Sequence, residues 1–382
     1  MAPFIRKLTK RFFIILNIVA VVIFLVACLT AYCNPFTYWL VALLGVGFIF
    51  ITISVFLFFI FWLLFRSQWA LFSLAALLIG WFQIHAVFGF NPFSSFNKIK
   101  PPKSFRVLTW NVSRWDEMNK QSKKGVSYRL KMFEFIKNQD ADIVCFQEFF
   151  ESRRTDLFDL NIPYITSQLN YPYYYFARDH VPVNGIYEHG VAVFSRYPII
   201  DTFRLRYPGP DSLKGKESLI RATIDINGLK INVFTTHLQS FLFSGKEYRG
   251  LKNIKRADDK DSIVEASKGI IAKFRRSYGL RSLQADLVRS QLDNSKYPEI
   301  ICGDFNDVPN SYTYFTIKGE RQDAFVNRSF GLGRTFVFIS PTLRIDYILA
   351  SKQFEILQYK KTKLPYSDHF PVMADFRFGE GK

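Results

Sequence analysis

The N-terminal quarter of this 382-residue chain contains almost no charged side chains. The 54 residues from Phe12 to Phe65 include no Asp, Glu, Lys, Arg or His, and the first 97 residues contain no acidic residue. This absence excludes a water-exposed domain surface, because soluble surfaces carry most of a protein's charged residues. A transmembrane helix needs about 20 mostly apolar residues, so this part of the sequence predicts an integral membrane protein.

Three membrane spans are predicted, approximately at Phe12–Cys33, Tyr38–Phe65 and Trp69–Phe90. Asn34-Pro35 ends the first span and Asn91-Pro92 ends the third, because an Asn-Pro pair favours a turn over a continued helix. The second stretch is longer than a flat crossing requires, so we expect it to tilt or protrude from the bilayer.

Basic residues set the predicted orientation of these spans. Four of them precede the first span, namely Arg6, Lys7, Lys10 and Arg11, and Arg66 separates the second span from the third. Three crossings place both groups in the cytoplasm, and the rest of the chain on the non-cytoplasmic side of a bacterial inner membrane. Four basic residues after the third span oppose this orientation, namely Lys98, Lys100, Lys103 and Arg106, and a two-span count would reverse it.

Cysteine is also scarce, with four residues in the whole chain. Cys28 and Cys33 lie in the first span, and Cys145 and Cys302 lie in strand-like runs, so the pattern excludes a disulfide framework and indicates no structural zinc. The run from Leu25 to Cys28 matches a lipoprotein cleavage box. We favour a chance match inside a membrane helix, because two further spans make a lipid anchor redundant.

The composition divides the chain into a transmembrane region at 1–92, a polar linker at 93–104 and a soluble domain at 105–382. Five of the 50 basic residues and none of the 32 acidic residues lie in the first 97 positions, so the remainder has a net charge of +13. This charge favours anionic partners: nucleic acid, phosphorylated small molecules or an acidic membrane surface. The sequence indicates no protein partner.

A basic stretch lies between His237 and Asp304. It contains Lys246, Lys252, Lys255, Arg256, Lys260, Lys268, Lys273, Arg275 and Arg276. Phosphate backbones or anionic lipid head groups would suit it, and a solvated helix face explains it equally well.

Many β-rich runs and few helical ones occupy the region from 105 to 382. Helical spacing of apolar residues predicts helices at Tyr128–Asn138, Ser262–Tyr278 and Leu280–Leu292, and Asn227-Gly228 between two β-branched runs predicts a hairpin. So many strands in about 280 residues predict an α/β layered sandwich rather than a doubly wound sheet.

Four short motifs each follow a strand-like apolar run. They are Thr109-Trp110-Asn111, Gln147-Glu148, Gly303-Asp304-Phe305-Asn306 and Ser367-Asp368-His369. A fold can bring the ends of several strands to one rim of a sheet. Any one of these motifs alone is explained as readily by a surface turn, but no other interpretation accounts for all four.

Phosphoester hydrolysis explains these residue types. The reaction needs a cation to neutralise the phosphate, a base to activate water, and a donor for the leaving oxygen. Asn111 and Glu148 are candidate ligands, with Asp368 also within reach of the ion, and oxygen ligands suit Mg²⁺ or Mn²⁺. Asp304 is a candidate for orienting the attacking water, and Asn306 for holding a phosphate oxygen.

Two histidines complete the predicted site. His369 is the candidate base, and Asp346 is positioned to hold its imidazole in one tautomer. His237, at the end of a strand-like run, is a candidate donor to a phosphate oxygen, although a lone histidine there is more often structural.

The order of these motifs resembles that of the endonuclease/exonuclease/phosphatase superfamily over roughly Phe105 to Phe376. The resemblance implies a four-layer sandwich of two packed β-sheets flanked by helices, with the active site at one edge. It also implies metal-binding positions at Asn111 and Glu148 and a phosphate-contacting His237. It aligns Asp304 and Asn306 with the family's Gly-Asp-x-Asn pair, Asp346 with the partner of the catalytic histidine, and Asp368 and His369 with its Ser-Asp-His ending.

One expected residue has no clear counterpart, since Tyr171, Tyr173–Tyr175 and Tyr187 all compete for the tyrosine of the abasic-site endonucleases. The predicted function is that of a membrane-anchored, metal-dependent phosphoester hydrolase. Its substrate is a phospholipid head group, a sugar phosphate or nucleic acid. The alternative is a catalytically inactive family member that serves as a membrane binding or assembly module.

Overall fold

The computed structural model describes residues 2–65, 67–119, 126–209, 214–241, 260–338 and 342–379. Arg66 and four residues of the basic stretch, Lys246, Lys252, Lys255 and Arg256, lie outside these ranges, as do the side chains of Lys260 and Lys268. The described residues form two units. The helical unit contains those of Met1–Ile84, Gln239–Asp286 and Asn310–Phe315, and the sheet unit contains those of His85–Leu238, Leu287–Pro309 and Thr316–Lys382.

Apolar helices form the N-terminal part of the chain. They are α1 (Ala2–Cys28), α2 (Pro35–Leu64), α3 (Trp69–Ile79) and α4 (Trp81–Val87). The Asn34 side chain caps α2 by accepting a hydrogen bond from the backbone N–H of Phe36 at 2.9 Å, and Pro35 occupies the first turn, where its missing N–H costs nothing. Between α1 and α3, the buried Ser73 hydroxyl donates to Asn17 Oδ1 at 2.9 Å.

The third predicted span is not one straight helix. Helices α3 and α4 meet at an angle of 62° around Gly80, so two helices are long and apolar enough to cross a membrane, and a third crossing requires the bent pair to act as one span. A Cβ at Gly80 would lie 2.4 Å from the Phe24 ring. Glycine therefore allows the bend to approach α1 closely.

One helix replaces the two predicted between residues 262 and 292. It is α7 (Lys260–Asp293), which continues through Gly279. The shorter helices are α5 (Arg129–Gln139), α6 (Ile162–Gln168), α8 (Tyr312–Lys318) and α9 (Ala324–Arg328), and a 3₁₀ segment spans Ser113–Asn119. Only α5 among these shorter helices was predicted.

Two six-stranded sheets form the sheet unit. The first has the order β13 (Phe354–Lys361), β14 (Val372–Phe378), β2 (Phe105–Asn111), β3 (Ile143–Ser152), β5 (Tyr187–Ser195) and β4 (Tyr173–His180). The second has the order β10 (Gln322–Asp323), β12 (Asp346–Ala350), β9 (Glu299–Asp304), β8 (Leu229–His237), β7 (Lys214–Ile226) and β6 (Ile199–Pro208). A short ribbon pairs β1 (Gly89–Phe90) with β11 (Phe330–Gly331).

The main core lies between these two sheets. Val107 and Val193 of the first sheet and Val233, Ile300 and Ile348 of the second belong to one buried cluster. Burying an aliphatic side chain of this kind stabilises the fold by about 1.5–3 kcal/mol. A second cluster covers the opposite face of the first sheet, where Leu108, Trp110 and Phe146 pack with residues of α5. The predicted α/β sandwich of two packed sheets flanked by helices is therefore confirmed.

The predicted hairpin is also present. Strands β7 and β8 pair in antiparallel register up to Ile226 and Leu229. Asn227 and Gly228 between them have positive φ values of 54° and 91°, as a two-residue hairpin turn requires.

Candidate active site

Parallel pairing brings the predicted motifs to one edge of each sheet. In the first sheet β2 runs parallel to β3 and aligns Asn111 with Gln147. In the second, β8 runs parallel to β9 and aligns His237 with Asp304, while antiparallel β12 places Asp346 opposite Asp304. Because parallel strands end on the same side, residues far apart in sequence become neighbours.

Asp304 lies at the centre of the site and is fully buried. Its Oδ2 accepts a hydrogen bond from Asn111 Nδ2 at 3.0 Å and lies 3.6 Å from the Nε2 atoms of both His237 and His369. Burial raises the pKa of Asp304, and Asp346 raises it further, although the two histidines and Asn111 oppose the rise. One carboxylate oxygen thus joins residues from both sheets.

His369 is held by its neighbours on two sides. Its Nδ1 lies 3.0 Å from Asp346 Oδ2, and its backbone carbonyl accepts a hydrogen bond from Trp110 Nε1 at 2.9 Å. Burial alone lowers the pKa of His369, but the charges of Asp346 and Asp304 outweigh this effect and raise the pKa well above its ordinary value. An N–H at Nδ1 facing Asp346 leaves Nε2 directed at Asp304.

Asn111 and Glu148 form a polar pair beside Asp304, and Asn111 Oδ1 accepts a hydrogen bond from the Ser113 N–H at 3.1 Å. Asn111 Nδ2 lies 3.4 Å from Glu148 Oε1, and Arg114 Nε lies 3.5 Å from Glu148 Oε2. Glu148 has a φ of 49° and lies in an irregular step of β3 between Phe146 and Phe149. The irregularity interrupts the alternation of β3 side chains between the two faces of the sheet. It leaves the Glu148 carboxylate partly exposed beside Asn111.

The donor chemistry of this pair fits a hard divalent cation. Amide and carboxylate oxygens are the ligands preferred by Mg²⁺ and Mn²⁺, and Glu148 is half-buried rather than sealed in the core. A second group of possible ligands consists of Asp304, Asp346 and His369, whose ligand atoms all lie within 4.8 Å of one another. Because Asp346 already pairs with His369 Nδ1, we regard Asn111 and Glu148 as the better match.

The remaining two predicted residues lie at the edge of this cluster. Asn306 has a φ of 52°, and its Nδ2 donates to the backbone carbonyl of Leu238 at 2.9 Å. Asp368 is half-buried and accepts a hydrogen bond from Ser367 Oγ at 3.3 Å. Within the described parts of the chain Asp368 has no hydrogen bond to Asn111, so its predicted part in metal binding remains a prediction.

Gln147 supports the site in a way that sequence reasoning missed. Its buried Nε2 donates to Thr109 Oγ1 at 3.1 Å and to Thr235 Oγ1 at 2.9 Å, and therefore links β2 and β3 of the first sheet to β8 of the second. The only sequence signal was its position beside Glu148.

Gly303 and Thr335 position the two acids of the second sheet. Gly303 has a φ of 135°, and a Cβ there would lie 2.2 Å from the backbone oxygen of Thr236. Thr335 Oγ1 accepts hydrogen bonds from the backbone N–H groups of Ile345 at 3.0 Å and Asp346 at 3.1 Å. Thr335 lies in no recognised motif, so nothing in its sequence context indicated this role.

A groove of about 700 Å³ opens beside Asp368. Its lining includes Ser113, Tyr128, Lys363 and Tyr366, and the two tyrosine rings lie 5.3 Å apart. Among the described residues, its lining combines aromatic surface with the cation of Lys363 and the carboxylates of Asp116 and Asp368.

The competing tyrosines have different surroundings. Tyr171 is buried in the core and donates its hydroxyl to the backbone carbonyl of Ala141 at 2.8 Å. Tyr173 and Tyr174 are exposed on β4, and Tyr187 packs on Phe150 with ring centroids 4.9 Å apart. The contacts described for these residues do not include the cluster around Asp304.

A family model matches most of the sheet unit. It is described as the endonuclease/exonuclease/phosphatase family, and it matches residues 108–369, which is more than half of the chain. A second model, described as a domain of unknown function, matches residues 10–87. No curated protein sequence matches the chain.

Several solved structures are similar to the chain. An endonuclease/exonuclease/phosphatase from Beutenbergia cavernae is 19% identical over 72% of each chain, with a TM-score of 0.48. The human nocturnin catalytic domain with bound sulfate is 20% identical over 73% of this chain and 96% of that chain, with a TM-score of 0.49. A mannosyl-6-phosphatase from Bacteroides thetaiotaomicron is 16% identical over 72% of this chain and all of that chain (100%), with a TM-score of 0.47.

Proposed function

The chain belongs to the endonuclease/exonuclease/phosphatase family, and on this basis we propose that its sheet unit hydrolyses a phosphoester with the aid of a divalent cation. The convergence on Asp304 carries the proposal. Asn111, His237 and His369 come from different parts of the chain and approach the same carboxylate oxygen within 3.0–3.6 Å. A purely structural carboxylate needs no second histidine at its rim.

Asn111 and Glu148 would hold the cation, which we take to be Mg²⁺ or Mn²⁺. When bound, the ion neutralises phosphate charge and stabilises the charge that develops during displacement. Arg114, 3.5 Å from Glu148, adds positive charge on the same side of the site.

The protein's own residues provide proton transfer and orientation. Asp304 orients the attacking water, and His369 Nε2 accepts its proton as the water oxygen bonds to phosphorus. The bond from phosphorus to the oxygen of the organic group breaks, and this leaving oxygen takes a proton from solvent water. Asp346 faces the opposite ring nitrogen at 3.0 Å and stabilises the imidazolium that results. His237 and the second hydrogen of Asn306 Nδ2 donate to phosphate oxygens.

The groove beside Asp368 supports a substrate with an organic group attached to the phosphate. Lys363 supplies a positive charge there, and Tyr128 and Tyr366 supply flat apolar surface. Together with the apolar helices, this lining supports phospholipid head groups or sugar phosphates slightly over nucleic acid.

We place the sheet unit on the non-cytoplasmic side of the membrane. Within the helical unit, Asn310 donates from Nδ2 to the Ala27 carbonyl at 2.9 Å, and Thr30 Oγ1 donates to the Asn310 carbonyl at 3.1 Å. Asn310 therefore contacts the end of α1 and the turn after it within the helical unit. Arg6 and Lys7 lie at the other end of α1, and their positive charge supports an orientation with the N-terminus in the cytoplasm.

An activity panel on the full-length protein tests this proposal. It would compare plasmid DNA, phosphatidylglycerol, sphingomyelin and sugar phosphates as substrates, with Mg²⁺ and with EDTA. We expect turnover of at least one class with Mg²⁺ and none with EDTA, and cleavage of plasmid alone would contradict the lipid and sugar-phosphate preference. No turnover of any substrate class would instead favour the inactive membrane module.

A further inference from the structure

A second cavity, of about 930 Å³, lies within the helical unit. One wall is the start of α2, with Phe36 and Trp39, and the other is α7, with Ile271, Arg275, Arg276 and Leu283. We call it the interfacial groove. None of these residues takes part in the proposed hydrolytic site.

The walls of the interfacial groove are unusually apolar for exposed surface. Phe36 is 75% exposed, and Ile271 and Leu283 of α7 are 46% and 45% exposed. Gly279 lets α7 approach Phe36, since a Cβ there would lie 3.3 Å from Phe36 Cδ2. Contiguous exposed apolar surface of this kind marks a place where another apolar group binds.

Two cations accompany this apolar surface. Arg275 and Arg276 are both exposed, and neither guanidinium has a hydrogen bond or ion pair within the described ranges. The carboxylate in the lining, Asp286, accepts a hydrogen bond from the Tyr312 hydroxyl at 2.8 Å. The arginines therefore remain available for an anion from outside the chain.

The length of α2 sets the depth of the groove in a membrane. Tyr38 has non-helical φ and ψ values and kinks α2, and the 26 residues from Trp39 to Leu64 extend over about 39 Å at 1.5 Å per residue, whereas the hydrocarbon core is about 30 Å thick. The ends of this part of α2 consequently reach the polar head-group zone, and Trp39 at its start is a residue type typical of that zone. The interfacial groove lies at this end of α2.

We propose that the interfacial groove binds an anionic phospholipid. Arg275 and Arg276 pair with the phosphate and the negatively charged head group, and an acyl chain lies along Phe36, Trp39 and Leu283. A zwitterionic lipid offers the same acyl chain but no net negative charge, so it binds more weakly. The proposal is independent of hydrolysis by the sheet unit.

Native mass spectrometry of the full-length protein in a neutral detergent tests the binding. Phosphatidylglycerol and phosphatidylcholine with identical acyl chains are titrated separately, and bound lipid is counted directly. For the double variant R275Q/R276Q we expect the affinity for phosphatidylglycerol to fall about 30-fold, because the attraction between two basic side chains and the anionic head group is lost. Its affinity for phosphatidylcholine should remain nearly unchanged.

Arg153 and Arg154 provide a matched control, since they are an adjacent pair of exposed arginines in the sheet unit. R153Q/R154Q removes the same charge and should retain phosphatidylglycerol binding. An equal loss in both double variants would overturn the proposal, because net charge alone would then explain the binding. L283Q tests the acyl contact separately and should weaken both lipids.

Glycerol 3-phosphate serves as the soluble probe. It carries a phosphate without acyl chains, and we expect no binding at concentrations that saturate the lipid. Competition by glycerol 3-phosphate would show that the groove takes soluble anions and would overturn the lipid assignment. A dimer lost in L283Q would likewise overturn it, by identifying a second copy of the chain as the occupant.

Discussion

The pair formed by Asp346 and His369 offers a sharp test of the proposed chemistry. Asp346→Asn removes the charge that faces His369 Nδ1 at 3.0 Å and keeps the side chain's size. A hydrogen bond to a charged group contributes about 1.5–3 kcal/mol. Losing that much stabilisation of the imidazolium in the transition state lowers the rate about 10- to 150-fold, so we expect kcat/KM for a phosphodiester to fall by a factor in that range.

The pH dependence gives this prediction a direction. Burial lowers the pKa of His369, but Asp346 and Asp304 raise it well above its ordinary value, so the wild-type rate increases with pH toward that pKa. In D346N the pKa falls, and the rising limb of the rate profile moves to lower pH. The free energy of unfolding depends on pH for the same reason. The contribution of the Asp346–His369 pair is complete below about pH 6.5 and is lost as pH rises through the pKa of His369 in the folded protein.

Hydrolysis of bis(p-nitrophenyl) phosphate with Mg²⁺, followed from pH 5 to pH 10, is the assay. Asp375→Asn is the matched control, because Asp375 is also fully buried and pairs with a cation, Arg106 Nε, at 2.6 Å. Breaking that pair should cost about 3–5 kcal/mol of unfolding free energy without moving the rate profile. An unshifted rising limb in D346N would refute the role assigned to His369.

Three further predictions concern the fold and the N-terminus. Gly303→Ala should lower the free energy of unfolding by at least about 1–3 kcal/mol, because its Cβ would lie 2.2 Å from the Thr236 carbonyl oxygen at a φ of 135°; a denaturant titration showing no loss would contradict this. Burial raises the pKa of Glu151 from 4.5 to about 7, so the protonated carboxyl stabilises the fold at low pH and this contribution disappears as pH rises through 7. Between pH 5 and pH 8, the free energy of unfolding of E151Q should therefore rise relative to that of the wild type by up to about 3 kcal/mol. Parallel plots of unfolding free energy against pH for the two proteins would rule this out. Intact mass should retain the first 27 residues, whereas a lipidated N-terminus at Cys28 would establish the lipoprotein alternative.

The convergence of the strand ends could be predicted from sequence because each motif followed an apolar run. The run before Asn111 became β2 and the run before Asp304 became β9, and both are flanked by a parallel partner. Periodicity locates such runs, and a strand end is a local property of the chain. Which runs share a sheet is set by long-range packing, which no short motif records.

Other features depended on packing and could not be predicted. Helix α7 continues through Gly279 because one glycine costs a helix only about 1 kcal/mol, less than the packing of the buried Tyr278 and Ala285 on either side contributes. The bend at Gly80 depends on the space beside Phe24. The positive φ of Glu148 likewise follows from an extra residue in the pairing of β3 with β5.

Strand register decides whether the site exists at all. Asp304 faces His237 across β8 and Asp346 across β12, and a slip of one residue would turn its carboxylate to the other face of the sheet. The register is fixed because β9 side chains alternate between the two faces of the sheet, and Ile300 and Cys302 must face the core between the sheets. The same residues that stabilise the sandwich therefore hold Asp304 within reach of the histidines, so core substitutions that shift β9 should lower activity before they unfold the protein.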